Sequence, residues 1–131
     1  MNAYVFSVTS TNDFETTVPL VIEALKAEGF GVLTTIDVAA TLKAKLELDT
    51  PPYLILGACN PSFSHQALMA DPDIGALLPC NVVVRVEPDH GVRVVFMDPV
   101  AVLGLVANET VTKLGLALRQ KLERVAEALR G

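Results

Sequence analysis

Hydrophobic positions along this chain recur with two different periods, and the switches between them mark out its elements. Tyr4-Val5-Phe6-Ser7-Val8-Thr9 is a short β-branched and aromatic run that reads as a strand. Phe14, Val18, Val21, Ile22 and Leu25 then return at helical spacing, with helix-starting oxygens on Thr11, Asn12 and Asp13 before them and Gly29 as a stop after them. Pro19 lies inside that pattern and removes one backbone hydrogen bond, so the helix is expected to kink there or to begin later than Asp13 suggests. Gly31 to Ile36 reads as a second strand. Asp37 then caps a short helix through about Leu46, with Leu42 and Leu46 on one face. After the Asp49-Thr50-Pro51-Pro52 break, Tyr53-Leu54-Ile55-Leu56-Gly57-Ala58 is apolar at successive rather than alternate positions. That pattern predicts a central strand, covered on both faces or deep in the sheet.

Three times an Asx residue stands directly before a proline: Asn60-Pro61, Asp71-Pro72 and Asp98-Pro99. Each pair suits a helix start, because the Asx side chain accepts from orphan amides and proline is pre-set for the first helical position. Helices are therefore expected near Pro61 to Ala70, Pro72 to Leu77 and Pro99 to Ala107. Between the last two, Asn81 to Glu87 and Val92 to Met97 are β-rich runs on either side of Pro88-Asp89-His90-Gly91, which predicts an antiparallel hairpin with His90 exposed in its turn. From about Glu109 the tail carries Val111, Leu114, Leu118, Leu122, Val125 and Leu129 at steps of three or four, opposite Lys113, Arg119, Lys121, Glu123 and Glu127. This describes an amphipathic helix that packs on the sheet or, alternatively, offers a self-association surface.

The order of elements implies parallel βαβ crossovers joined to a terminal hairpin. The expected fold is α/β (α+β mixed): one two-layer domain over residues 1–131, with a mixed sheet of about five strands and a C-terminal helix.

Composition narrows the function more than the fold. The chain has 131 residues, of which 51 % are hydrophobic and 19 % charged, so it can bury one sizeable core. A formal charge of −5, without any Lys/Arg cluster flanked by aromatics, argues against nucleic acid as a partner. No basic residue precedes Lys26, and Asp13 and Glu15 fall where a signal peptide would be apolar. The longest apolar stretch, Val100 to Ala107, is well short of a membrane span. The expectation is a cytoplasmic protein in which Cys59 and Cys80 are free thiols.

Familiar catalytic signatures are missing: there is no Walker loop, no G-x-G-x-x-G after a strand, no G-x-S-x-G, no H-E-x-x-H and no C-x-x-C. What remains is a small constellation. Cys59 ends a strand just before the helix that Asn60 is expected to cap, where exposed amides and the helix dipole favour a thiolate. Cys80 precedes another strand, and His65 lies one to two turns into the same helix. Two thiolates and an imidazole suit zinc or copper; two thiols alone suit redox chemistry; buried cysteines acting as small hydrophobes need neither. Glu15, Asp37, Asp71 and Asp98 all fall where helix capping or first-turn charge accounts for them.

Ile36-Asp37-Val38, Ala40-Thr41-Leu42-Lys43, Tyr53-Leu54-Ile55-Leu56-Gly57-Ala58-Cys59-Asn60-Pro61, His65-Gln66-Ala67-Leu68 and Leu77-Leu78-Pro79-Cys80-Asn81-Val82 closely resemble domain-of-unknown-function family 302. The resemblance runs from about Gly29 to Pro99, and only Pro19 looks atypical of the family's first helix. It implies a small α/β domain, mostly bacterial or archaeal, that commonly stands alone and forms dimers, and it implies no established reaction. Of the positions matching the family motif, Cys59, Asn60, His65 and Cys80 can do chemistry. The leading expectation is a non-enzymatic module binding a metal ion or small ligand at this Cys/His sheet edge, with no cofactor assigned and a homodimer as the assembly. The alternatives are a thiol-dependent redox protein using Cys59 and Cys80, or an interaction domain with buried cysteines.

Overall fold

The computed structural model describes residues 3–89 and 91–130, so His90 of the hairpin turn lies outside the described residues. Its strands are β1 (Val5–Ser10), β2 (Gly31–Asp37), β3 (Tyr53–Cys59), β4 (Cys80–Val86) and β5 (Val92–Met97). The helices are α1 (Phe14–Ala27), α2 (Val38–Leu46), α3 (Pro61–Ala70), α4 (Pro99–Leu103) and α5 (Glu109–Leu129), with a 3-10 helix at Pro72–Leu77. Each element expected from the periodicity is present. α4 is shorter than expected, ending at Leu103 before Gly104.

Helix starts follow local chemistry. Asp13, Asp37, Asp98 and Asn108 accept from the backbone amides of Thr16, Ala40, Val100 and Val111 respectively. The Thr16 hydrogen bonds also hold the Asp13 carboxyl below its ordinary range. α1 therefore begins at the cap offered by Asp13 and continues through Pro19, so the later start is not what forms. Five residues into the helix, an exposed proline forfeits one hydrogen bond while Val21 and Leu25 are completely buried; the packing of that face outweighs the loss.

The sheet corrects the expected topology. Its order is β1-β5-β4-β3-β2, and every neighbouring pair is antiparallel, so among the described residues there are no adjacent parallel strands joined by βαβ crossovers. α1 carries the chain from one edge of the sheet to the other, leaving β1 and β2 with the same direction but three strands between them. α2 and α3 connect antiparallel neighbours instead. The physical reason lies in their apolar faces: α2 buries no residue and α3 only Ala67, so neither can serve as a layer over the sheet. β3 is interior without being central; β4 holds the middle position.

One face of the sheet carries the core. Leu56, Val82, Val84, Val94 and Phe96 are fully buried there with Val21 and Leu25 of α1 and Val111 and Leu122 of α5. Phe6 stacks on Phe96 with ring centroids 5.2 Å apart, and the Arg119 guanidinium lies 5.3 Å above Phe6. The opposite face, bearing Val83, Val95, Arg85 and Arg93, is only half-buried. Among the described residues no helix is long and apolar enough to cross a membrane.

Candidate functional site

The Cys/His edge assembles only partly. Ala58 of β3 pairs with Cys80 of β4, which puts Cys59 one register step from Cys80 on the neighbouring strand. Both thiols are free. Cys80 is 4 % exposed, and burial, reinforced by the charge of a neighbouring Cys59 thiolate, pushes its pKa up to about 11. The cavity beside it, lined by residues such as Phe63, Leu114 and Leu118, is about 10 Å³ and apolar, room for no more than one water. Cys59 is half-buried, its Sγ 3.1 Å from Ser64 Oγ in the first turns of α3.

Asn60 does not cap α3, contrary to expectation. Its side chain makes no capping bond, and Nδ2 donates over 3.5 Å to the Glu28 carbonyl at the end of α1. Asn60 is 9 % exposed and packs against Gly29, whose φ of 86° holds the turn into β2. The amide therefore joins two layers of the fold, a tertiary demand that overrides the local one. His65, one residue past Ser64, is exposed. Among the described residues no three His, Cys, Asp or Glu side chains converge in a way that could hold a metal ion.

The uncovered sheet face offers a better-formed site. Strand alternation sends Cys80, Val82 and Val84 of β4 and Val92, Val94 and Phe96 of β5 into the core, and therefore Val83, Arg85, Arg93 and Val95 outward. The hairpin register sets Arg85 directly opposite Arg93. Like charges so placed repel, and Glu87 answers them: Arg93 Nε donates to its Oε1 at 2.7 Å, and Arg85 Nη2 lies 3.1 Å from the same oxygen. Arg93 Nη1 also donates to Ser7 Oγ on β1 at 2.8 Å, which fixes its fork against two strands. These side chains, with Tyr4, Val5, Tyr53, Val83 and Val95, line an open cleft of about 350 Å³, within the size range of small-molecule sites.

Two guanidiniums share one carboxylate, and among the described residues neither has a second acidic partner. The cleft thus keeps a positive charge on a chain whose formal charge is −5. A guanidinium carries five donors in a fixed fork, and those not used within the cleft suit a carboxylate or another small oxyanion. Sequence reasoning did not single out Arg85, Glu87 or Arg93. Their signal was there: Arg85 and Arg93 stand equally far from Asp89 at the turn, so a hairpin centred on that residue must oppose them.

The fold is thus a five-stranded antiparallel sheet backed by helices on one face, with a charged cleft on the other. The family model "Domain of unknown function DUF302" matches residues 6–129, and the chain belongs to that family. The match is wider than the stretch from Gly29 to Pro99 and takes in β1, α1 and α5. The chain is also similar to a solved structure, that of an uncharacterized conserved DUF302 protein from Bacillus stearothermophilus. The identity is 26 %, the TM-score 0.90, and the alignment covers 98 % of this chain and 100 % of the other. No curated protein matches.

Proposed function

We propose that this chain is a non-enzymatic binding module, working in the cytoplasm, that takes a small anion on the uncovered face of its sheet. The observation that carries the reading is the Arg85–Glu87–Arg93 arrangement: two opposed guanidiniums, half-buried, with one carboxylate between them and a cleft beside them. A positive charge held in place by β-strands, rather than on loose side chains, loses little entropy on binding.

A metal ion or a thiol couple at Cys59, Asn60, His65 and Cys80 has weaker support. Cys80 is buried as a neutral thiol, His65 is exposed and joins no group of potential metal ligands among the described residues, and the adjoining cavity is too small for a ligand. Titration of ¹⁵N-labelled protein with butanoate distinguishes the sites. Saturable shifts centred on Arg85, Arg93 and Tyr53, lost in Arg93→Gln, are expected; shifts confined to Cys59 and Ser64 on adding zinc would return the site to the cysteine edge.

A second reading concerns assembly. Leu33 and Ile36 on edge strand β2 are 66 % and 49 % exposed, and Leu46 and Leu48 at the end of α2 are 61 % and 50 % exposed. α2 has nine residues and none buried, less than a helix needs to be stable by itself. Lys43 and Lys45 are balanced by Glu47 and Asp49, with Lys43 paired to Asp49 at 2.9 Å, so this flange carries no net charge that would repel a second copy. A second copy is the occupant these features favour.

A further inference from the structure

The charged cleft does not end at Arg85. A second open groove, of about 500 Å³, begins at the same two residues, Tyr53 and Arg85, and runs under α2. Besides those two it is lined by Val38, Leu42, Thr50, Pro51, Pro52 and Val86. None of these adds a charge, and the shared Tyr53 and Arg85 place the charged cleft and this apolar groove next to each other.

The junction is built by the strand ends. Tyr53 pairs with Arg85 across β3 and β4, and the Val86 amide donates to the Pro52 carbonyl at 3.1 Å, which fixes the groove floor to the sheet. α2 supplies the other wall through Val38 and Leu42, four residues apart on one helical face. Leu42 is half-buried against this groove although α2 buries no residue fully.

We propose that the ligand is an amphipathic monocarboxylate, with its carboxylate at Arg85 and Arg93 and an unbranched or aromatic apolar tail along the groove beneath α2. The inference rests on the anion-binding reading above and adds to it the chemistry of the rest of the molecule. A purely polar anion leaves the Val38–Leu42–Pro51–Pro52 wall in water, and a neutral apolar molecule leaves the positive charge that Glu87 does not balance without a partner. Only a ligand with both ends matches both halves.

Calorimetric titration of the full chain with butanoate, hexanoate and octanoate, kept below micelle-forming concentrations, and with octanol, tests this. Affinity is expected to rise about two- to fourfold per added methylene, since a fully buried methylene is worth about a factor of four. Octanol is expected to bind at least tenfold more weakly than octanoate. Leu42→Ser should weaken octanoate several-fold and leave butanoate unchanged, while Arg93→Gln weakens both; circular dichroism of each variant checks its fold. Equal affinities for butanoate and octanoate would overturn the amphipathic ligand and keep the anion site. Octanol binding as tightly as octanoate would overturn both, as would the absence of heat from every compound. If sedimentation shows a dimer and octanoate gains nothing over butanoate, the groove is covered by a second copy and the proposal fails.

Discussion

Cys80 and Glu87 show how differently two ionisable side chains behave on the two faces of one hairpin. Cys80 points into the core as a neutral thiol, its pKa raised by burial to about 11. Iodoacetamide at pH 8 is therefore expected to modify Cys59 in the folded protein and Cys80 only after denaturation, as peptide mass mapping would show. Below about pH 9 the Cys80 thiol is protonated both folded and unfolded and contributes no pH dependence; between about pH 9 and 11 the unfolded chain ionises first, so stability falls. The loss assignable to this group is at most about 3 kcal/mol, and it is read as the difference in alkaline denaturation slope between the wild type and Cys80→Ala. Glu87 faces outward between two arginines. Glu87→Gln leaves Arg85 and Arg93 opposed and is expected to cost about 1 kcal/mol in urea denaturation, a modest figure because all three side chains are a quarter to a third exposed. The same change should tighten butanoate binding several-fold, since the cleft loses its own competing carboxylate.

At the scale of elements, what was legible in the sequence was whatever local chemistry decides. Strand and helix periods placed the strands and the longer helices, Asx-Pro pairs placed the short ones, and Asp13, Asp37, Asp71 and Asp98 sit where their side chains accept from nearby amides. Asn60 reads as a cap and is not one, because its partner, the Glu28 carbonyl, is 32 residues away and only the assembled fold brings it near. Strand order was not legible for the same reason: a period of two says which face a residue takes, not which strand stands beside it. The site inherited that blindness. Cys59, Asn60, His65 and Cys80 look clustered in the sequence, whereas the charged cleft depends on the register that opposes Arg85 to Arg93. Two element junctions give sharp expectations. Asp98 follows β5, caps α4 and accepts from Arg119 Nη1 of α5 at 2.6 Å while 7 % exposed. Asp98→Ala loses both roles and should cost about 3 kcal/mol. Gly57 lies where a side chain would meet the Thr34 hydroxyl and, at 2.9 Å, Cγ of Pro79. Gly57→Ala should cost about 1–3 kcal/mol, and both are measurable by thermal or urea unfolding.

The whole molecule is one-sided: helices cover one sheet face, and the other is left to the cleft, the groove and an apolar edge. Sedimentation equilibrium is expected to give a dimer that Leu46→Glu together with Ile36→Lys converts to a monomer without loss of helical signal, because neither residue belongs to the core. β1 has one neighbour, β5, and pairs Val5 with Met97 and Ser10 with Val92, more than eighty residues further on. During synthesis β1 must therefore wait, unpaired, until β5 has been translated. A chain halted at the hairpin turn would present its N-terminal segment to whatever chaperone or aggregating neighbour reached it first.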